Sequence, residues 1–289
     1  MLTVFAPAKI NLYLHVTGRR ADGYHNLDSL VAFTGVGDLV RLEPADVFSF
    51  HVEGPLAAVL SNEDPENNLV VRAARALADL TGQLLNVRLT LVKNLPVASG
   101  IGGGSSDAAA ALRALAQHWG LHPDDPRVQQ AAAAQGQDVP VCLKIENNYM
   151  TAGGTESACA LPQMGVVLAN PNKPVPTPAV YKTFREGGYA FTPAAQLDKA
   201  PANAAEFIAA LRARTNDLYA PALLLLPEIG PVIDTLAATP NCLLSRMSGS
   251  GATCFGLYPD EAAAQLAAAQ LKQSHPHWWI AASTLPFKP

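Results

Sequence analysis

The sequence is short of charge. Lys, Arg, Asp and Glu make up 15% of its 289 residues, the net charge is −4, and no run of basic residues occurs. A nucleic-acid surface needs a clustered positive field, so that class is excluded. Cysteine is scarce as well: Cys142, Cys159, Cys242 and Cys254 are scattered and form no Cys-x-x-Cys pair. The pattern fits neither a zinc site nor a disulfide framework and points to a reduced compartment. No stretch approaches the roughly 20 apolar residues of a membrane helix. Lys9 and Asn11 interrupt any apolar segment that would read as a signal peptide. Internal repeats are missing too, and the alanine-rich patches near 108–116, 131–134 and 262–269 are helix formers rather than low complexity. The expectation is a cytoplasmic protein with neither a nucleic-acid nor a membrane partner.

What is present is an apolar fraction of 49%, enough to core two modest domains or one large one. The chain is organised around residues 95–112, Leu-Pro-Val-Ala-Ser-Gly-Ile-Gly-Gly-Gly-Ser-Ser-Asp-Ala-Ala-Ala-Ala-Leu. Before it, Val87, Leu89 and Leu91 alternate with Arg88 and Thr90 and predict a strand that Lys93 closes. Within it, Gly100, Gly102, Gly103 and Gly104 leave the backbone free for a left-handed turn or a close ligand. Ser105, Ser106 and Asp107 are candidate N-caps. Ala108, Ala111, Leu112, Leu115 and Trp119 then recur at helical spacing, with Gly120 where a C′ glycine belongs. A glycine run alone suits a flexible turn equally well. Strand, glycine loop, paired hydroxyls and capped helix in that order favour phosphate, because the helix N-terminus offers unpaired N–H groups and the positive end of its dipole. No Gly-Lys-Ser/Thr follows, and the glycine spacing is not that of a dinucleotide fingerprint.

Elsewhere, residues 6–17 alternate strictly and predict one strand. Ala8, Ile10, Leu12, Leu14 and Val16 fall on one face, Lys9, Asn11, Tyr13, His15 and Thr17 on the other. A helix is expected to start at Asn67-Asn68-Leu69 and stop at Gly82. A turn at Pro123–Asp125 leads to a second helix ending near Gly136. Val139, Val141, Leu143 and Ile145 alternate and predict a strand starting at Asp138. Further on come a strand over 165–169, a proline-rich loop to Pro178, a helix carrying Tyr181 and a loop over 186–202. Thr215-Asn216-Asp217-Leu218 reads mainly as the cap of a leucine-rich helix. Ser248–Gly256 reads as a tight hairpin, followed by a helix over 259–272 and a last strand over 278–283. The Trp278-Trp279 pair is read as packing. The order strand–helix–helix–strand–strand–helix–strand predicts a ferredoxin-like α+β unit.

Pro96-x-x-x-Gly100-Ile101-Gly102-Gly103-Gly104-Ser105-Ser106 resembles the phosphate loop of the GHMP small-molecule kinases. Pro7-Ala-Lys9-Ile-Asn11-Leu12, Arg20-x-Asp22-Gly23-Tyr24-His25, Gly136-x-Asp138-Val139-Pro140 and Ser248-Gly-Ser-Gly-Ala252 resemble further motifs of that family. The resemblance runs from Ala6 to the last strand. It is closest to the branch whose acceptor is a cytidine-diphosphate-linked alcohol. It implies an α+β, two-domain GHMP kinase fold. Residues 1–160 would form a ribosomal-protein-S5-like α/β domain with the ATP-phosphate loop, and 161–289 a ferredoxin-like α+β domain with the substrate cleft.

The resemblance implies ATP and Mg²⁺ as cofactors and a cytidine diphosphate substrate as the small-molecule partner. Asp138 inherits the role of general base, with Lys9 beside it. Lys93, Pro96, Gly100, Gly102, Gly103, Gly104, Ser105 and Ser106 inherit contacts to ATP, with Asn68 and Leu69 on the adenine side. Asn11, Tyr24, His25, Asp138, Thr177 and Tyr181 inherit contacts to the substrate. His25 would read the cytosine edge, since an imidazole donates from one nitrogen and accepts at the other, and Tyr181 would stack on the base. The metal ligands stay unnamed, Lys144–Glu156 departs from the family pattern, and a monomer and a homodimer are both compatible. Two rivals stand beside this reading. One is a member of the family acting on mevalonate or homoserine, which lacks the Gly-Tyr-His segment and the stacking aromatic. The other is a nucleotide-binding regulator on the same fold.

Overall fold

A computed structural model describes residues 1–289 apart from Asp22, Pro123, Lys288 and Pro289. Asp22 of the Arg20–His25 motif and Pro123 of the expected turn therefore lie outside the described residues. In chain order the elements begin with β1 (Leu2–Asn11), β2 (His15–Arg19), β3 (His25–Pro44), β4 (Ser49–Glu53), α1 (Leu69–Thr81), β5 (Val87–Val92), α2 (Gly103–His118), α3 (Pro126–Ala133) and α4 (Asp138–Lys144). Then come β6 (Asn148–Thr151), β7 (Gly154–Ser157), β8 (Met164–Asn170), α5 (Thr177–Glu186), α6 (Ala204–Arg212), α7 (Tyr219–Leu225), α8 (Ile229–Ala237), β9 (Leu244–Met247), β10 (Cys254–Tyr258), α9 (Glu261–Ser274) and β11 (Trp279–Leu285). The chain passes back and forth between two compact units, Met1–Ala8 with Gly37–Val97 and Gly102–Ile145, and Lys9–Val36 with Ala98–Ile101 and Glu146–Pro289.

In the first unit β5 lies between β4, to which it is parallel, and the end of β3, to which it is antiparallel. The parallel pair needs a crossover, and α1 supplies it. Asn68 caps α1 by accepting the Val70 N–H at 2.9 Å, and Gly82 closes it at φ +67, as the sequence predicts. Buried Val70, Ala73, Ala74 and Leu77 face the alanine-rich side of α2, where Ala108, Ala109, Ala111 and Ala114 are fully buried. Small side chains on α2 let α1 and α4 approach its backbone.

The strand expected from Asp138 is a helix. Val139, Val141, Cys142 and Leu143 are all buried, and seven residues are too few for period two to be told from period 3.6. Pro140 falls in the first turn, where its missing N–H costs nothing. Asp138 at the start and Lys144 at the end complement the helix dipole. Arg113 of α2 donates to the Cys142 carbonyl at 2.8 Å and to the Phe5 carbonyl at 2.7 Å, which satisfies the far end of α4.

In the second unit β8, β9, β10 and β11 form an antiparallel sheet in the order β11-β8-β10-β9. That is the ferredoxin-like arrangement expected, with the first and third strands of the unit central. β8 is buried along its whole length. A Cβ on Gly165 would stand 1.9 Å from the Asp260 carbonyl, so glycine is required where α9 begins. The segment between β8 and β9 holds four helices, α5 to α8, rather than the two expected. The strand predicted over 6–17 is also divided: β1 ends at Asn11 and β2 resumes at His15, with Leu14 bridged to Asn216.

Candidate active site

In the first unit the glycine loop is anchored by charge. Lys93, which follows β5, is 2% exposed, not the solvated strand end that its position also allowed. Its ammonium donates to the Asp38 carboxylate and to Oδ2 of Asp107 at 2.7 Å. The other oxygen of Asp38 accepts the N–H groups of Asn94 at 2.5 Å and Leu95 at 2.8 Å. Burial alone would lower the Lys93 pKa, and the two carboxylates outweigh it and raise it. Burial, reinforced by Asp38 and opposed by Lys93, pushes the Asp107 carboxyl up to about 8.

The N-cap of α2 is Gly102, in the left-handed conformation at φ 64, and no side chain caps the helix. Ser105, Ser106 and Asp107, expected as caps, are inside the helix. The reason is geometric. Gly102 turns the chain into the helix before the first hydroxyl, and the Ser106 N–H already donates to the Gly102 carbonyl at 2.8 Å. The Ser106 hydroxyl is buried and has no hydrogen-bond partner. Gly104 is exposed and Ser105 half-buried, so the start of α2 presents backbone N–H groups with little side-chain cover. This suits a phosphate.

Pro96 is buried. A Cβ on Gly104 would lie 3.6 Å from the Leu69 side chain, so Leu69 borders this end of α2. Asn68 lines a cavity of about 400 Å³ with Phe50, His51, Val52, Leu60 and Asp64. Asp138 is half-buried at the start of α4.

In the second unit the ammonium of Lys9 joins a network of amide and hydroxyl groups. Lys9 is 4% exposed; its ammonium donates to Oδ1 of Asn11 at 3.3 Å, so the pair shares a face as the strand spacing predicts. The Asn11 amide donates to Ser29 Oγ at 2.7 Å, and the Asn11 N–H to Ser248 Oγ at 3.0 Å. The Ser248 hydroxyl donates in turn to the Gly100 carbonyl at 2.9 Å. Gly100 has φ +75, and a Cβ there would meet the Ser248 carbonyl at 2.5 Å. The Ser248–Thr253 hairpin therefore packs against residues 98–101.

Asn216 donates to the Met247 carbonyl at 2.9 Å and the Gly249 carbonyl at 2.8 Å. Its Oδ1 also accepts the Leu218 N–H at 3.0 Å, so the expected capping bond just ahead of α7 is made as well, by the other end of the same amide. Ser248, Ser29 and Asn216 carry no motif-level signal that singles out these bonds. Only the small-residue run at 248–252 hints at a close approach.

His25 and Tyr181 are stacked, with ring centroids 5.1 Å apart and planes 20° from parallel. Phe184, fully packed in the core, meets His25 edge-on at 5.8 Å. Burial, aided by Arg19 and Arg185, pushes the His25 pKa down, so the ring is neutral at pH 7 with one donor and one acceptor nitrogen. Tyr24 is 63% exposed. Thr177 pairs its hydroxyl with that of Ser250 at 2.8 Å. Among the described residues no group of three or more His, Cys, Asp or Glu is arranged to hold a metal ion, and no helix is long and apolar enough to cross a membrane.

Residues 68–144 match the model of the GHMP kinases N terminal domain, and residues 198–277 that of the GHMP kinases C terminal domain. The chain is 48% identical over 285 residues to the 4-diphosphocytidyl-2-C-methyl-D-erythritol kinase of Paramagnetospirillum magneticum, covering 98% of each chain. It is 52% identical to the same-named enzyme of Cereibacter sphaeroides, covering 97% of this chain and 98% of that one. Among solved structures, a 4-(cytidine 5'-diphospho)-2C-methyl-D-erythritol kinase is similar at 33% identity and a TM-score of 0.78, with 99% of this chain and 100% of that one covered. A homoserine kinase from Cytophaga hutchinsonii shares the fold at 16% identity and a TM-score of 0.70, with 98% and 94% covered. With the glycine loop, the Lys9–Asn11 pair and the ferredoxin-like sheet in place, these matches show that the chain belongs to the GHMP kinase family.

Proposed function

We propose that this chain transfers the γ-phosphate of ATP to the 2-hydroxyl of 4-diphosphocytidyl-2-C-methyl-D-erythritol, giving the 2-phosphate and ADP for isoprenoid precursor synthesis. The observation that carries the substrate choice is the stacked His25–Tyr181 pair. A neutral imidazole beside a flat phenol ring offers what a cytosine needs, a donor–acceptor edge and a stacking face. Mevalonate and homoserine have no base to use it, and relatives that carry the printed name of the cytidine enzyme cover 98% of the chain.

In this reading the start of α2, from Gly102 to Ser106, holds the ATP phosphates with Gly100 and Pro96, and the cavity at Asn68 takes the adenine, with Leu69 between it and α2 on the adenine side. The buried, unpartnered Ser106 hydroxyl and the uncapped helix fit that group. Phosphoryl transfer asks the protein mostly for positioning and charge stabilisation. Asp138 accepts or orients the proton of the acceptor hydroxyl, and Lys9 stabilises developing negative charge. Asn11, Tyr24 and Thr177 orient the acceptor. Mg²⁺, which prefers phosphate oxygens and water, neutralises the polyphosphate charge when bound. Residues 1–160 and 161–289 serve as the ATP-loop and substrate domains of a cytoplasmic enzyme that works as a monomer or homodimer.

The test is ADP release from ATP and Mg²⁺ with the cytidine alcohol, mevalonate and homoserine as parallel acceptors. Turnover is expected with the cytidine alcohol alone. Asp138→Asn is expected to lower kcat by about 10²- to 10⁴-fold, the usual scale for a lost general base. Equal turnover with another acceptor would overturn the substrate, and tight ATP binding without turnover would leave a regulator.

A further inference from the structure

Lys93, expected to contact ATP, lies in an ion cluster beneath α2. Asp38 comes from β3, Lys93 from the residue just after β5, and Asp107 from the second turn of α2. Each grips a different part of the ATP-loop region. Asp38 holds the backbone of residues 94 and 95, Asp107 holds the helix, and Lys93 joins them. A Cβ on Gly103 would come within 3.4 Å of Lys93 Nζ, so the ammonium lies against the first helical residue. One oxygen of Asp107 is buried with no hydrogen-bond partner. Fully ionised, two carboxylates and one ammonium leave a net charge of −1 next to the end of the helix that faces the phosphates.

We propose that Asp38, Lys93 and Asp107 are positioning residues that hold the start of α2 for ATP, and that a single proton on Asp107 switches the charge ATP meets there between 0 and −1. The proposal rests on the reading of this loop as the phosphate site. Two carboxylates sharing one cation cannot both ionise cheaply in a buried site, and the raised pKa of Asp107 agrees. The charged groups that act most strongly on Asp107 are Lys93 and Asp38; α1, α3 and α4 are the helices packed along α2. ATP is an anion, so it binds better to the neutral cluster. By linkage its affinity falls as Asp107 loses its proton.

The experiment is the KM for ATP of the full-length chain between pH 7.5 and 9.5, where the ATP phosphates are already fully ionised. Wild type is expected to show a rise of about three- to tenfold, the scale of one screened charge. The KM for the alcohol should stay level. Asp107→Asn, which fixes the cluster without the titrating proton, should give a flat KM for ATP. A flat wild-type profile, or a variant that rises with the wild type, would overturn the proposal. Should Asp107→Asn fail to fold, calorimetry of ADP binding to wild type at pH 8 in two buffers of different ionisation enthalpy replaces it. Net proton uptake supports the switch and zero uptake overturns it. Absence of any ATP or ADP binding to wild type would instead remove the phosphate site itself.

Discussion

The two regions that hold the glycine loop bury polar groups in opposite ways. Residues 102–107 are fixed from Lys93 and Asp38 by a buried ion cluster. Residues 98–101 are fixed from Ser248 and Thr253 by neutral hydrogen bonds. A buried ion cluster stays favourable only while it is whole, since removing one partner strands an uncompensated charge. A neutral hydroxyl or amide network loses members one at a time at modest cost and does not respond to pH. The difference teaches where sensitivity is to be found: the charged side answers to protons, the neutral side to shape.

The largest effect that would sharpen this contrast is the removal of Lys93. Lys93→Met leaves Asp38 and Asp107 facing each other and is expected to cost about 3–5 kcal/mol of stability, read from urea unfolding. Ser248→Ala strips the partner from the Asn11 N–H and the Gly100 carbonyl and is expected to cost about 1–3 kcal/mol in the same assay. Equal losses from the two variants would erase the distinction. The smallest effect concerns a third place, the aromatic pair. Because the folded His25 pKa lies below the ordinary value, the ring stays neutral through pH 7, and it charges only as the pH falls below about 6.5. The KM for the cytidine alcohol should therefore be level from pH 8 to 7 and rise severalfold by pH 5.5. His25→Gln, which keeps a donor and an acceptor, should flatten that rise.

Much of the fold was legible because its signals are local. Asn68 and Gly82 mark the ends of α1 by their own side-chain and backbone chemistry, and the alternation of 87–92 survives in the burial of β5. The element order after residue 160 was enough for the ferredoxin-like sheet. What failed was either too short or too distant. The segment from Asp138 to Lys144 is too short for its period to show, so its helix was hidden. The ties made by Asn216 and Ser248 join residues 31 and 148 positions apart, and no local pattern encodes such partners. Lys93 was singled out for its place before the loop, yet its surroundings depend on Asp38, 55 residues earlier. Lys9 and Asn11 could be paired from spacing alone because a strand puts alternate residues on one side.

The uncapped start of α2 explains one of these failures. Ser105, Ser106 and Asp107 are the side chains whose chemistry suits a cap, and all three lie inside the helix. Gly102 opens the helix, and no side chain closes its first turn. On the proposed reading the missing piece is carried by the nucleotide, so part of this helix is written in the cell's pool of small molecules rather than in the gene. The first turn of α2 then serves recognition more than it serves the fold, and a change of ligand would alter the helix as much as a change of residue.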